Sequence, residues 1–190
     1  MSILIYAESA EGKIKKVAFE LASYAKKVAA SMGTTVTAVT INNSDNSALA
    51  AYGVDKVLNV SNDKLNNFSA KAYADVIAQA AKKEGTQIVL VSSTTDSLYL
   101  APLVAVALEA GYASNVVALP ESTSPFQVKR TAFSNKAFNI TEISTPVKVL
   151  GIAKNSFGLV ENAAAMTEES FAPSLNDADF GIKVENVEKV

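Results

Sequence analysis

A chain of 190 residues with 49% hydrophobic content is long enough for one domain with a sizeable core, or for one domain and a tail. Its 17 Lys and Arg against 19 Asp and Glu leave a formal charge of −2, which argues against a nucleic-acid face and gives no polybasic signal for a membrane surface. Without cysteine or histidine, disulfide scaffolds, thiolate nucleophiles, cysteine-ligated metal centres and Ser-His-Asp triads are excluded, so any chemistry falls to Asp, Glu, Lys, Tyr or a bound cofactor.

The first residues, Met1 to Tyr6, lack the basic start of a signal peptide, and Glu8 and Glu11 follow a very short apolar run. The longest apolar candidate, Leu98 to Ala113, is interrupted by Pro102 and Glu109 and falls short of the roughly 20 residues a membrane helix needs. A cytoplasmic location is expected. Ile3 to Tyr6 reads as a strand buried on both faces. After the loop Ala7 to Gly12, the spacing of Ile14, Val17, Leu21, Tyr24 and Val28 predicts a helix over Lys13 to Met32, closed by Gly33. Thr35 to Ile41 is rich in β-branched residues and predicts a second strand. A short helix over Ser47 to Tyr52, a strand over Lys56 to Val60 and a helix over Ser69 to Lys83, stopped by Gly85, come next. Gln87 to Val91 is a further apolar strand. The polar loop Ser92 to Asp96 leads into a helix over Ser97 to Ala110 ended by Gly111, and Val116 to Leu119 follows as a strand.

Strands and helices alternating at this spacing imply right-handed βαβ units and a parallel sheet covered on both faces. After Pro120 the rhythm changes. Phe126 to Phe133 and Val147 to Ala153 read as strands without a long helix between them, an antiparallel extension on the sheet edge. Residues 158–190 are more polar and read as an irregular tail or linker, which sets the division of the chain at 1–157 and 158–190.

Candidate chemistry is sparse. The loop Ala7 to Gly12 has one glycine and two carboxylates where a dinucleotide fingerprint needs three glycines. The loop Ser92 to Asp96 lies where open α/β sheets take ligands. Ser93, Thr94 and Thr95 are the candidates there for holding a phosphate at a helix N-terminus, although capping of the helix is the favoured reading. Glu8, Asp96 and Glu142 read as solvated surface carboxylates. Lys13, Lys15 and Lys16 read as a solvated helix face. Arg130, the one arginine, pairs either with a carboxylate of its own domain or with one of a partner. No metal site is expected.

Three segments in order resemble the N-terminal domain of the electron-transfer flavoprotein alpha subunit. They are Ile3-Leu4-Ile5-Tyr6-Ala7-Glu8, then Ser92 to Ala105 continuing through Leu108-Glu109-Ala110-Gly111 to Ala113-Ser114-Asn115-Val116, and Val128 to Ala137. The last is similar to the family's Arg-x-x-Tyr-x-Gly-Asn-Ala segment. Val149 to Phe157 resembles the strand that follows. The chain departs from the family at Leu103, where Arg is usual, at Asn115 (Asp), at Asn135-Lys136 (Gly-Asn) and at Ala153-Lys154.

The resemblance implies a doubly wound, mostly parallel α/β fold, Rossmann-like and similar to the adenine-nucleotide hydrolases, with added antiparallel edge strands. It implies a non-catalytic scaffold domain that docks a beta subunit, and through the complete complex serves flavoprotein dehydrogenases. FAD is then held mainly by a C-terminal domain beyond this chain, with none on these residues, and AMP belongs to the beta subunit. Arg130 and Asn135 become the candidates for partner or interdomain contact. The alternative is an adenine-nucleotide-binding module of the stress-protein type. A flavodoxin-like FMN carrier is weaker, since the first loop lacks a run of Ser and Thr.

Overall fold

The computed structural model describes residues 2–182. The end of the expected tail, 183–190, lies outside the described residues. Strand β1 (Ser2–Tyr6) is buried throughout, as an apolar run without alternation requires at the centre of a parallel sheet. Two short strands, β2 (Ser9–Ala10) and β3 (Lys13–Ile14), then pair across Glu11 and Gly12, which sit at φ 52° and 73°. That tight turn keeps Lys13 and Ile14 extended, so α1 spans Lys16–Met32 instead of starting at Lys13. Gly33 closes α1 in the left-handed region.

Strand β4 (Thr35–Ile41), a 3-10 turn (Ser47–Tyr52), β5 (Lys56–Val60), α2 (Ala70–Glu84), β6 (Ile88–Ser92) and α3 (Thr95–Ala107) continue the expected rhythm. Next, β7 spans Gly111–Val116, earlier than the expected 116–119. Gly111 is needed there for close approach: a Cβ on it would lie 2.4 Å from Ile143 Cγ2. The rest comprises β8 (Ser122–Thr123), β9 (Phe126–Ala132), β10 (Ala137–Glu142), β11 (Lys148–Ile152) and β12 (Thr167–Ser170).

Among the described residues ten strands form one sheet, with the path β10-β9-β7-β11-β6-β1-β4-β5-β12 and β8 beside β9. From β7 to β12 every pairing is parallel. The antiparallel extension is the β9–β10 hairpin, joined to β7 by the ladder pair Val116–Arg130. β11 belongs to the parallel part: it runs between β6 and β7, not on the edge where the sequence placed it.

One face of the sheet packs Ile3, Ile5, Val36 and Leu90 against Leu21, Tyr24 and Val28 of α1. The other packs Leu4, Val39, Leu58 and Val89 against Val76 and Ile77 of α2 and Leu100 and Val104 of α3.

Residues 159–182 run along the domain as a strap. Ser23 on α1 receives the Val160 N–H, β12 extends the sheet beside β5, and Phe171, Leu175 and Phe180 pack over the α2 side. Lys56 and Lys83 both pair with Glu169, Lys64 pairs with Asp177, and Lys71 with Asp179.

Candidate functional site

The chain reverses its direction of travel across the sheet between β1 and β6, and this is where an open α/β sheet forms a crevice at its C-terminal edge. Two loops meet there, one after β1 with Glu8 and one after β6 with Ser93 and Thr94. Glu8 is buried, 2% exposed, directly against the first turn of α3. Its Oε1 accepts the Thr94 hydroxyl at 2.6 Å and the Ser97 hydroxyl at 3.1 Å, while Oε2 takes Lys15 Nζ at 3.3 Å. Thr94 Oγ1 also accepts the Ser97 N–H at 3.3 Å, which makes Thr94 the N-cap of α3.

The arrangement has a simple electrostatic content. A helix N-terminus and two hydroxyls form a place for an anion. In this protein a carboxylate of the chain itself stands there, fixed by a lysine. The Ser92 to Asp96 loop therefore holds Glu8. The earlier reading of Glu8 as a solvated carboxylate is corrected. Tyr6, next to it in β1, has its phenol pushed well up by burial, with Tyr73 and Glu8 adding to the effect. Burial also pushes the phenol of Tyr73 up to about 12, with the charge of Asp96 contributing.

The three residues singled out in the loop do different things. Thr94 caps. Ser93 is half-buried over Gly151, where an added Cβ would meet its Oγ at 3.1 Å, and its N–H donates to the Ile152 carbonyl at 2.8 Å. Thr95 is exposed and lines a groove of about 360 Å3 with Lys15, Lys16, Asp96 and Lys154.

A second buried carboxylate, Glu20 on α1, was not found by sequence reasoning. It accepts backbone N–H groups from Asn155 at 2.9 Å, Phe157 at 2.9 Å and Gly158 at 3.0 Å. Burial alone would raise its pKa, but these N–H donors outweigh it and hold the carboxyl below its ordinary value. Glu20 thus shapes the turn by which the chain leaves β11 for the strap.

Arg130 and Asn135 lie on the β9–β10 hairpin, Arg130 in β9 and Asn135 at the tip with φ 65°. Arg130 makes no ion pair among the described residues. Its charge draws down the phenol of Tyr112, which burial nonetheless holds above its ordinary value. Among the described residues no cluster suits a metal ion, and no helix is long and apolar enough to cross a membrane. The exposed face of α3 carries Leu98, Tyr99, Leu103 and Val106.

Residues 3–175 match the family described as Electron transfer flavoprotein domain. The electron transfer flavoprotein subunit alpha of Clostridium acetobutylicum is 29% identical over 120 residues, covering 62% of this chain and 36% of the relative. The Bacillus subtilis subunit alpha is 24% identical over 179 residues, covering 92% of this chain and 55% of the relative. A lactate dehydrogenase (NAD(+),ferredoxin) subunit, LctC of Acetobacterium woodii, is 31% identical over 151 residues, covering 76% and 36%. The chain thus spans between about a third and about a half of the length of these curated relatives. A doubly wound sheet with an antiparallel hairpin, matched over nearly its whole length by one family and by relatives named as alpha subunits, belongs to the electron transfer flavoprotein family, as the N-terminal domain of its alpha subunit.

Proposed function

We propose that this chain is a scaffold. It docks the beta subunit of an electron transfer flavoprotein so that an FAD-bearing domain can carry electrons from flavoprotein dehydrogenases to an acceptor. The observation that carries the reading is Glu8. Its carboxylate fills the one helix N-terminus at the switch point with hydroxyls aimed at it, and would repel the phosphates of FAD or of an adenine nucleotide. The residues at the switch point therefore do not fit a flavin nucleotide. The flavin is then held elsewhere in the intact protein. One-electron transfer needs the flavin at a controlled distance from its partner and shielded from side reactions, and a rigid sheet buried on both faces supplies a fixed reference for that. Arg130 and Asn135 are the contact residues of this reading.

Two measurements test it. The purified chain is expected to show no absorbance in the visible flavin bands and to form a complex with the beta subunit in sedimentation. A chain that purifies yellow, with stoichiometric flavin, refutes the scaffold role. A saturable thermal shift with ATP or AMP, abolished in a Thr94→Val, Thr95→Val variant, would point to the nucleotide-binding alternative instead.

A further inference from the structure

Helix α3 breaks a rule that the other two helices keep. Packed on the sheet, α1 turns Lys16 and Lys27 to solvent, and α2 turns Lys71, Lys82 and Lys83. Between Asp96 and Glu109 the chain carries no charged residue at all. Leu100, Ala101 and Val104 of α3 face inward and are fully buried. The outward face is apolar as well: Tyr99 is 68% exposed, Val106 77%, Leu98 56% and Leu103 37%, with Pro102 exposed among them. A helix that is apolar all round is ordinarily one that is buried all round.

The contacts of α3 run to α2, β6, β7 and β11, and they leave this outward face uncovered. Positions 99, 103 and 106, with 98 and 102 beside them, follow the three- and four-residue steps of one helix face. The side chains therefore form a continuous stripe along a helix about 20 Å long. At these exposures the stripe presents about 500 Å2 of apolar surface, toward the upper end of what a monomer leaves to water.

Charge decides what covers it. A partner recognised through opposite charge finds nothing to pair with between Asp96 and Glu109, and an anionic lipid surface needs basic residues that the stripe lacks. A second copy of the chain brings an identical charge-free stripe. A two-fold axis then lays apolar surface on apolar surface and buries no ionic group.

We infer that α3 is a self-association face, through which two copies of this chain pair across a two-fold axis, helix against helix. Crossing near Leu103 at the roughly 50° common between helix faces, the two helices carry Asp96 and Glu109 apart at their ends. The two stripes together bury about 1,000 Å2, the lower limit for a specific interface. The pair is accordingly reversible, with a dissociation constant on the order of 10 μM. The inference concerns this chain alone and stands independently of the docking of a beta subunit.

Sedimentation equilibrium of the 190-residue chain between about 1 and about 200 μM tests it. The weight-average mass is expected to rise from 19.9 kDa toward twice that value. Val106→Arg, at the most exposed position of the stripe, is expected to weaken association about tenfold or more, because it sets like charges against an apolar face and against each other. Should circular dichroism show that variant to be misfolded, Tyr99→Lys takes its place. Phe133→Ser with Phe138→Ser removes the exposed aromatic side chains of the β9–β10 hairpin and is expected to leave the dissociation constant within about twofold. A mass that stays at 19.9 kDa throughout overturns the inference. A dimer that the α3 variants leave intact, or that the hairpin pair dissolves, overturns it too and moves the contact to another surface. A monomer whose complex with the beta subunit is lost in Val106→Arg gives the face to that partner and equally overturns it.

Discussion

Replacing Glu20 by Gln tests the electrostatic account of the turn after β11. The carboxylate is 7% exposed, with Oε1 accepting the N–H groups of Phe157 and Gly158 and Oε2 accepting that of Asn155. An amide keeps one oxygen, so one side of the fork meets an N–H with an NH2, and the bonds that survive lose their charge. Bonds to a charged acceptor contribute about 1.5–3 kcal/mol, and an orphaned buried donor costs a similar amount. A net loss of about 2–3 kcal/mol is expected, or about 4–10 °C in Tm for a domain of this size. The pH dependence has a fixed sign. The carboxyl of Glu20 is held below its ordinary value of 4.5, with the N–H donors overcoming the opposing effect of burial. Its stabilisation is therefore complete above the unfolded-state pKa of about 4.3 and is lost as pH falls through the lower folded value. Thermal unfolding followed by circular dichroism should show a constant gap between the two proteins from about pH 5 to about pH 8, narrowing in more acid buffer. A gap absent at neutral pH, or unchanged in strong acid, would refute the reasoning.

Three other outcomes are expected. Glu8→Ala strands the Thr94 and Ser97 hydroxyls around an emptied site and releases the partly exposed Lys15; loss of hydrogen bonds to a charged acceptor costs about 1.5–3 kcal/mol, and added formate should restore part of the lost Tm. Formate raising the Tm of both proteins equally would count against an anion place at α3. Gly111→Ala drives a methyl into Ile143 and Thr145, which lie 2.4 and 2.7 Å from the new carbon; overpacking of this kind costs about 1–3 kcal/mol, measurable by urea denaturation. Lys56, with Lys83 behind it, holds the Glu169 carboxyl down to about 2, so this contact to the strap is present above the ordinary value of 4.5 and fades as pH falls toward 2. Because Glu169 is exposed, about 1 M NaCl should also speed amide exchange over Thr167–Ser170 while leaving β1 unchanged. Identical exchange in low and high salt would show the strap to be held by its aromatic contacts alone.

The alternation of strands and helices was legible because apolar runs and helical spacing record which faces are buried. The left-handed glycines Gly33 and Gly85 marked two helix ends correctly. Gly111 carries the same letter and misled, since close packing against Ile143 does not show in local sequence. The position of β11 was illegible for a different reason: order along the chain does not give order across a sheet. Strand β12, Thr-Glu-Glu-Ser, has no apolar period, and is held by backbone pairing and lysines contributed from far away. In the site, the hydroxyl-rich loop was recognised as a place for an anion or a cap. Nothing in the sequence says that a glutamate 86 residues earlier would occupy it, because carboxylates are exposed far more often than buried. Glu20 was missed likewise, since it falls among the charged positions of an amphipathic helix.

The insertion of β11 between β6 and β7 orders the birth of this protein. Residues 111–142 reach the parallel sheet chiefly through a strand that leaves the ribosome after they do. Until Ile152 has emerged, a nascent chain presents one side of β6 as an unfilled seam, with β7 and the hairpin lacking their main attachment. A break or a new terminus between residues 107 and 148 would leave two pieces that must find each other across that seam. Loops beyond β11, along the strap, are accordingly the safer places for fusions and permuted ends.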